Sequence, residues 1–311
     1  MNELELIRNL IPMLPTNSAV VTGAGDDCAV VDVGLPDKHL LLKTDAVVEG
    51  IHFTADAVGS AVGHKALGRC LSDVAAMGGV PLCAVVTIGL PSGFEFERVR
   101  SIYEGMANLA RRYDVAIVGG ETTASPERVF ISVAVLGTVP KSACILRSGA
   151  QPGDAIFVSG TLGGSMAGKH LEFEPRLRQG QWLAARGTVH AMIDLSDGLA
   201  TDLRHLLDAS HVGAELLAEA IPVSEVAKKR ARQTSDTKLA PLTAALTEGE
   251  DFELLFTVLP SDAVPLLDAW KAEFPELKLS CIGKITAEHG LRIRDRRGTR
   301  PLEEHGYIHF E

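Results

Sequence analysis

The chain has 311 residues, 46% of them hydrophobic and 23% charged, which suits a globular protein with ample core in two domains and excludes a disordered chain. A formal net charge of −10 excludes nucleic acid as the main partner, because a phosphate backbone needs a basic face, while a local basic patch for a small phosphorylated ligand stays open. The five cysteines, Cys28, Cys70, Cys83, Cys144 and Cys281, contain no CxxC pair and read as buried thiols in a reducing compartment, taken here as the cytoplasm.

The first residues, MNELELIRNLIPML, form an amphipathic helix over about 2–14; Glu3, Glu5 and Arg8 make it unlike a signal peptide, so export is not expected. A glycine-rich turn, GAGDD, precedes two apolar runs with strand character, CAVVDV and HLLLKTDAVV. Helical periodicity follows over about 58–77. The uncharged stretch 74–94 is long enough to raise the question of a membrane span. Gly78, Gly79, Pro81, Pro91 and Gly93 interrupt it, so it reads as a helix end, a tight turn and a buried strand over 82–90. Next come a helix over about 96–113 and two β-branched runs, DVAIVGG and RVFISVAVLGTV. The turn chemistry of RSGAQPGD then marks a boundary, giving domains over 1–142 and 143–311. In the second half a strand, AIFVSG, leads to GTLGGSMAG, which opens a helix. HAMIDLSDGLATDLRHLL reads as strand, acidic turn and helix, and a strand in TEGEDFELLFTVL, a helix around Trp270 and a strand KLSCIGKI complete the pattern.

Four segments set acidic residues in turns beside apolar runs: Asp26 and Asp27, Asp45, Asp194 and Asp197, and Glu250 and Asp251. Desolvated carboxylates are costly unless solvated or neutralised by a cation, and hard oxygen ligands of this kind suit Mg²⁺ completed by water and substrate phosphates. Any one of these segments alone reads as a loop carboxylate; together they point to a metal-phosphate site. Glycine-rich turns accompany them at Gly23, Gly25, Gly119, Gly120, Gly160 to Gly164 and Gly198, and such turns offer N–H groups to phosphate. No Walker A sequence and no protein-kinase HRD or DFG set is present. Lys65, Arg69 and Asp73 fall four residues apart on one helix face, either as a solvated ion-pair stripe or with Asp73 as a metal ligand near the helix C-terminus. Arg147 is open between a boundary salt bridge and phosphate contact, and His52 between a structural role and substrate contact or proton transfer.

Taken in order, GAGDDCAVV, TDAVVEGIHF, KALGRCLSDVAAMGGVP, VGGETT, LRSGAQPGD, IDLSDGLATDL and GEDFELLFT resemble the thiamine-monophosphate kinase family over nearly the whole chain. That family lies in the superfamily of aminoimidazole ribonucleotide synthetase and selenophosphate synthetase, which bind ATP without a P-loop. The resemblance implies an α+β fold: an N-terminal α/β domain whose sheet pairs with that of a second subunit in a homodimer, then a C-terminal α/β domain, with ATP in the cleft between domains. It also implies Mg²⁺ as cofactor, ATP as co-substrate and thiamine monophosphate as acceptor, with no nucleic acid or membrane partner. Asp27, Thr44, Asp45, Asp73, Asp194 and Asp197 are the implied magnesium ligands, and Glu121 stands at a further ligand position. Gly120, Arg147 and Ser196 are the implied nucleotide contacts; His52, Glu250 and Tyr307 are the implied substrate contacts. No general base is nominated, because the acceptor phosphate is already anionic at neutral pH.

Three departures from the family pattern stand out. VGGETT carries Glu121 where the family has aspartate, moving the carboxylate by about 1.5 Å. Lys43 occupies the place of a small hydroxyl residue, where a lysine either supplies one cation's charge or leaves only its backbone carbonyl in play. The segment between GTLGGSMAG and HAMIDLSDG is short, although KHLEFEPRLRQG still resembles the family's His-Leu, Pro and Arg stretch. Two alternatives accompany the leading reading: a paralogous ATP-dependent enzyme with another small acceptor, favoured by Glu121 and the shortened segment, and a catalytically silent nucleotide-binding homologue.

Overall fold

The structure, a computed structural model, describes residues 3–233 and 240–307. Two compact units form, one from Ser18–Cys144 with His170–Gln181, the other from Met1–Asn17, Ile145–Lys169 and Trp182–Glu311. The α+β alternation expected from the sequence is present in both.

A short helix, α1 (Glu3–Leu10), opens the chain. The first unit then lays down β1 (Val20–Thr22), β2 (Ala29–Val31), β3 (Lys38–Val48), β4 (Val80–Leu90), β5 (Ala116–Ala124) and β6 (Phe130–Pro140) as a six-stranded sheet in the order β1-β2-β3-β6-β4-β5. Between β3 and β4 runs α2 (Gly59–Ala76), and between β4 and β5 runs α3 (Phe96–Arg112). The helix end, turn and strand expected across 74–94 are all found, and among the described residues no helix is long and apolar enough to cross a membrane.

Strand alternation sorts this sheet into two faces. Leu41, Val47, Val86, Val133 and Val135 are buried on the side where α2 packs with Leu67, Cys70, Leu71 and Val74. Helices α2 and α3 meet backbone to backbone. A Cβ at Gly63 would lie 1.8 Å from the Ile102 carbonyl oxygen, and one at Gly105 1.9 Å from that of Ser60, so only glycine permits this crossing. Among the described residues the other side of the sheet lies exposed: Leu42, Leu82 and Val85 are 51, 43 and 45% exposed. The segment resembling the family's His-Leu stretch joins this unit. Phe173 packs edge-on to His64, whose Nε2 lies 2.7 Å from the Phe173 carbonyl oxygen, and Gln181 donates to the Gly79 carbonyl at 2.9 Å.

The second unit holds a seven-stranded sheet built from β7 (Ala155–Ser159), β8 (Val189–Asp194), β9 (Gly213–Leu217), β10 (Leu254–Val258), β11 (Leu279–Thr286), β12 (Gly290–Asp295) and β13 (Gly298–Pro301), ordered β13-β12-β9-β11-β7-β10-β8. Only β9 and β12 pair in parallel. Of α4 (Lys169–Glu172) only the first residue falls in this unit, α5 (Leu177–Arg186) is divided after Gln181, and the helices wholly its own here are α6 (Leu199–Ser210), α7 (Glu225–Arg232), α8 (Pro241–Thr247) and α9 (Pro260–Glu273). Strands β7 and β10 are buried along their whole length, and are apolar but for Ser159 and Thr257, because both faces are covered. Ile156, Val158 and Leu255 join the cluster of Leu199, Leu203, Leu206 and Leu246 from α6 and α8. Phe157 and Phe256 point the other way and stack at 5.7 Å, and Phe256 also packs on Trp270 of α9 at 6.4 Å.

Two sequence expectations need correction. GTLGGSMAG, expected to open a helix, instead forms a single 3-10 turn, Ser165–Ala167, followed by the one-turn α4. The cysteines are all free, yet only Cys28 and Cys70 are buried. Cys281 is exposed because its position in β11 turns the side chain outward.

Candidate active site

In the first unit the chemistry gathers between β3 and α2. Lys43 and Asp45, two residues apart on one strand, project to the same side. The stripe Lys65, Arg69 and Asp73 on α2 meets them, and it is not solvated: Lys65 is 0% and Asp73 6% exposed. Lys43 Nζ lies 2.7 Å from Asp73 Oδ1, and Arg69 Nε 3.5 Å from Asp45 Oδ2. Burial works against the charge on Lys43, but Asp73 and then Asp45 outweigh it and hold the ammonium protonated above the ordinary lysine range. Lys65 donates to the carbonyl of His52 at 2.5 Å, while His52 Nδ1 accepts the Val48 N–H at 3.1 Å, so His52 is fastened at both its ring and its backbone.

Asp27 is buried at 1% exposure on the turn before β2, and its N–H donates to Asp26 Oδ1 at 2.9 Å, so Asp26 shapes the turn from which Asp27 projects. Burial, followed by the Asp73 charge for Cys28 and the Asp45 charge for Cys70, pushes both neighbouring thiols well up, leaving them protonated and unreactive at neutral pH. The donors here are carboxylate oxygens, a set that fits a hard cation such as Mg²⁺.

The remaining sequence-derived residues of this unit separate. Thr44 alternates to the uncovered face, with its hydroxyl 3.2 Å from the Val133 carbonyl oxygen. Glu121 sits exposed on the edge strand β5, its Oε1 accepting its neighbour Thr122's N–H at 3.2 Å. In the order β3-β6-β4-β5 it is three strand spacings, roughly 14 Å, from β3. One copy of the unit therefore does not bring Glu121 to Asp45. Gly120 has a packing reason of its own, since a Cβ there would meet the Val86 carbonyl oxygen at 1.8 Å.

In the second unit, β8 ends at Asp194, which is buried at 4% exposure, and the turn Leu195 to Gly198 follows. Segment 250–253 clamps this turn. Glu250 N donates to the Ser196 carbonyl at 2.7 Å, Phe252 N to that of Leu195 at 2.8 Å, and Leu195 N to that of Glu253 at 2.9 Å. Glu250 and Phe252 take left-handed backbone, φ 63° and 50°, a strained arrangement held by these bonds. From the other side Tyr307 N donates to the Asp197 carbonyl at 2.9 Å, leaving its half-exposed ring beside the turn.

Asp202, on the first turn of α6, was not singled out in the sequence, yet its Oδ2 accepts the N–H groups of both Asp197 and Gly198 at 3.0 Å. Burial, then the charges of Asp197 and Asp194, raise its pKa well above the ordinary carboxylate range, and Arg147 works the other way. Arg147 is thus electrostatically part of the Asp194–Asp202 turn. Asp197, Asp202 and His205 bring one ligand-capable atom each within 4.8 Å of one another, a second donor set able to hold a cation. The signal for Asp202 and His205 was their i, i+3 spacing directly after the SDG turn.

The glycine-rich GTLGG loop does not present its N–H groups outward. Gly163 N donates to Asp251 Oδ2 at 2.8 Å and Gly164 N to Glu248 Oε2 at 2.7 Å. Asp251 also accepts from Ser165, while Glu253 accepts from Ser159 at 2.8 Å and from Lys169 at 3.1 Å. Burial pushes the Asp251 carboxyl up to about 6 despite Lys169 and these donors. The phosphate-cradle reading of this loop gives way to an internal lock.

Comparison with known proteins follows the same lines. The model of the AIR synthase related protein, N-terminal domain, matches residues 25–139, and that of the C-terminal domain matches residues 151–296. The chain is 38% identical over 301 residues to thiamine-monophosphate kinase of Rhodopirellula baltica, covering 94% of this chain and 92% of that protein. It is 36% identical over 315 residues to the Escherichia coli K12 thiamine-monophosphate kinase, with the same coverage, 94% and 92%. A solved chain described as AaThiL complexed with AMPPCP and TMP superposes with a TM-score of 0.84 at 32% identity, covering 99% of this chain and 97% of that one. With both domain models matched and relatives aligned almost end to end, the chain belongs to the thiamine-monophosphate kinase family.

Proposed function

We propose that the chain passes the γ-phosphoryl group of ATP directly to thiamine monophosphate, giving thiamine diphosphate and ADP. The observation that carries this reading is the nearly end-to-end likeness to thiamine-monophosphate kinases, together with the retained acidic turns. It also weighs against a paralogue with another acceptor, since the match spans 94% of the chain despite Glu121 and the shortened middle segment. Buried acids and a strained Glu250–Phe252 loop are costs that a silent scaffold has no reason to bear.

Asp27, Asp45, Asp73, Glu121, Asp194 and Asp197, with Thr44, are the proposed magnesium ligands. Gly120, Arg147 and Ser196 are proposed to meet the nucleotide, and His52, Glu250 and Tyr307 the acceptor. Bound Mg²⁺ would supply charge neutralisation between two anionic reactants. The protein's own part is positioning: Asp202 and the 250–253 segment fix the SDG turn, and Lys65 fixes His52. The uncovered apolar sheet face supports a homodimer, and a second copy across it would give Thr44 and Glu121, both on that face, a shared environment. Free cysteines support a cytoplasmic setting.

The test is purified protein with Mg²⁺, ATP and thiamine monophosphate, followed chromatographically for ADP and thiamine diphosphate. Wild type forms both in equal amounts, and Asp45→Asn lowers turnover at least about 100-fold with an unchanged circular dichroism spectrum. Nucleotide binding without any diphosphate product would sink the proposal.

A further inference from the structure

The carboxylates of the first unit are not waiting empty for metal. Asp73 already holds an ammonium, with Lys43 Nζ 2.7 Å from Oδ1 and side chains only 21% and 8% exposed. Asp45 already faces a guanidinium, that of Arg69, at 3.5 Å. Asp27, Asp45 and Asp73 together with Lys43 and Arg69 leave one net negative charge, far from the three that the acids alone suggest. A lysine is a compact cation that delivers its charge to a single point, which makes it the side chain best able to stand in a metal's position. Its stem is anchored in the middle of β3, in register with β6, so the ammonium is delivered by the sheet rather than by a mobile loop.

We propose that Lys43 is a built-in cation that permanently occupies the Asp73 carboxylate, so the site takes one divalent ion fewer per chain than its carboxylates would otherwise accept. The proposal refines the metal set of the kinase reading and rests on it. Asp73, placed above among the magnesium ligands, leaves that set and acts as a positioning residue that holds Lys43, while Asp27 and Asp45 stay with the exchangeable metal. Removing the ammonium opens a metal position on Asp73, because a buried carboxylate without its cation recruits another.

Mn²⁺ binding tests this directly, counted by electron paramagnetic resonance of the free ion in protein saturated with the non-hydrolysable analogue AMPPCP. Lys43→Met should bind one more Mn²⁺ per chain than wild type, and Lys43→Arg, which keeps the charge, should match wild type. Equal counts for wild type and Lys43→Met overturn the proposal, as does a gained ion in both variants. Should Lys43→Met fail to fold, wild-type crystals grown with Mn²⁺ decide by anomalous scattering. No manganese peak on Asp73 Oδ1 is the expected result, and a peak there with Lys43 displaced overturns the inference. The metal count uses neither acceptor nor turnover. Loss of the kinase reading would appear separately, as absent thiamine diphosphate formation by wild type.

Discussion

At the scale of single residues, Asp251 is the carboxyl whose environment makes the clearest quantitative demand. Folding lifts its pKa from 3.8 to about 6, so the folded chain takes up this proton before the unfolded chain does. The sign follows: between roughly pH 4 and pH 6 the native state binds more protons, and this group's contribution to stability falls as pH rises. At ~1.4 kcal/mol per unit the loss approaches ~3 kcal/mol. Asp251→Asn keeps an acceptor for Gly163 N and a partner for Ser165 while removing the titration. Its stability relative to wild type, from urea unfolding at pH 4 and pH 7, should improve by up to ~3 kcal/mol at the higher pH. An unchanged difference between the two pH values would show that Asp251 does not titrate in this window.

At the scale of elements, the contact between α2 and α3 is set by the pair Gly63 and Gly105. Gly105→Ala places a methyl group 1.9 Å from the Ser60 carbonyl oxygen, so the helices must separate. The overpacking cost exceeds the gain in helix propensity, and a net loss of ~1–3 kcal/mol in denaturant unfolding is expected. Unaltered stability would mean that the crossing tolerates a wider spacing. This crossing was invisible in the sequence, where helical glycines carry no sign of what they approach. The long elements were legible for a plain reason: β4 and α2 have sustained periodicity and glycine or proline punctuation. Strands β9, β12 and β13, of 5, 6 and 4 residues, are too short to show a period. Among the site residues, Asp27, Asp194 and Asp197 stood out as acids in turns beside apolar runs; Asp45 was read the same way but lies inside β3, paired with Val133 of β6, because the β-branched run continues past it. Whether the Lys65–Asp73 stripe faced solvent or sheet could not be decided from spacing, because spacing fixes which residues share a face but not what covers it. Asp202 was missed because its side chain reaches back to an earlier turn, a contact fixed by the loop's path.

At the scale of the whole molecule, the first unit's exposed sheet face is the surface on which the proposed homodimer depends. Leu42, Leu82 and Val85 would be half in water in a single copy. A charge at the centre of that face leaves each chain's own core untouched but opposes burial against a second copy. Val85→Asp should therefore shift the mass measured by light scattering from that of a dimer to the 33.1 kDa of one chain. A wild type that already runs at 33.1 kDa at micromolar concentration would remove the dimer from the proposed function.

The lock on the GTLGG loop changes how the chain's acidity should be weighed. Four carboxylates fall within residues 248–253, and three of them, Glu248, Asp251 and Glu253, turn inward onto glycine N–H groups, serine hydroxyls, Lys169 and Arg230. Their charge is spent within the framework, so an approaching polyanion does not feel it as open surface potential. The formal charge of −10 counts these carboxylates and their cation partners wherever they lie, so it does not describe the field that two phosphorylated reactants meet at the site. An acidic protein can in this way admit anionic substrates without a basic surface to draw them in.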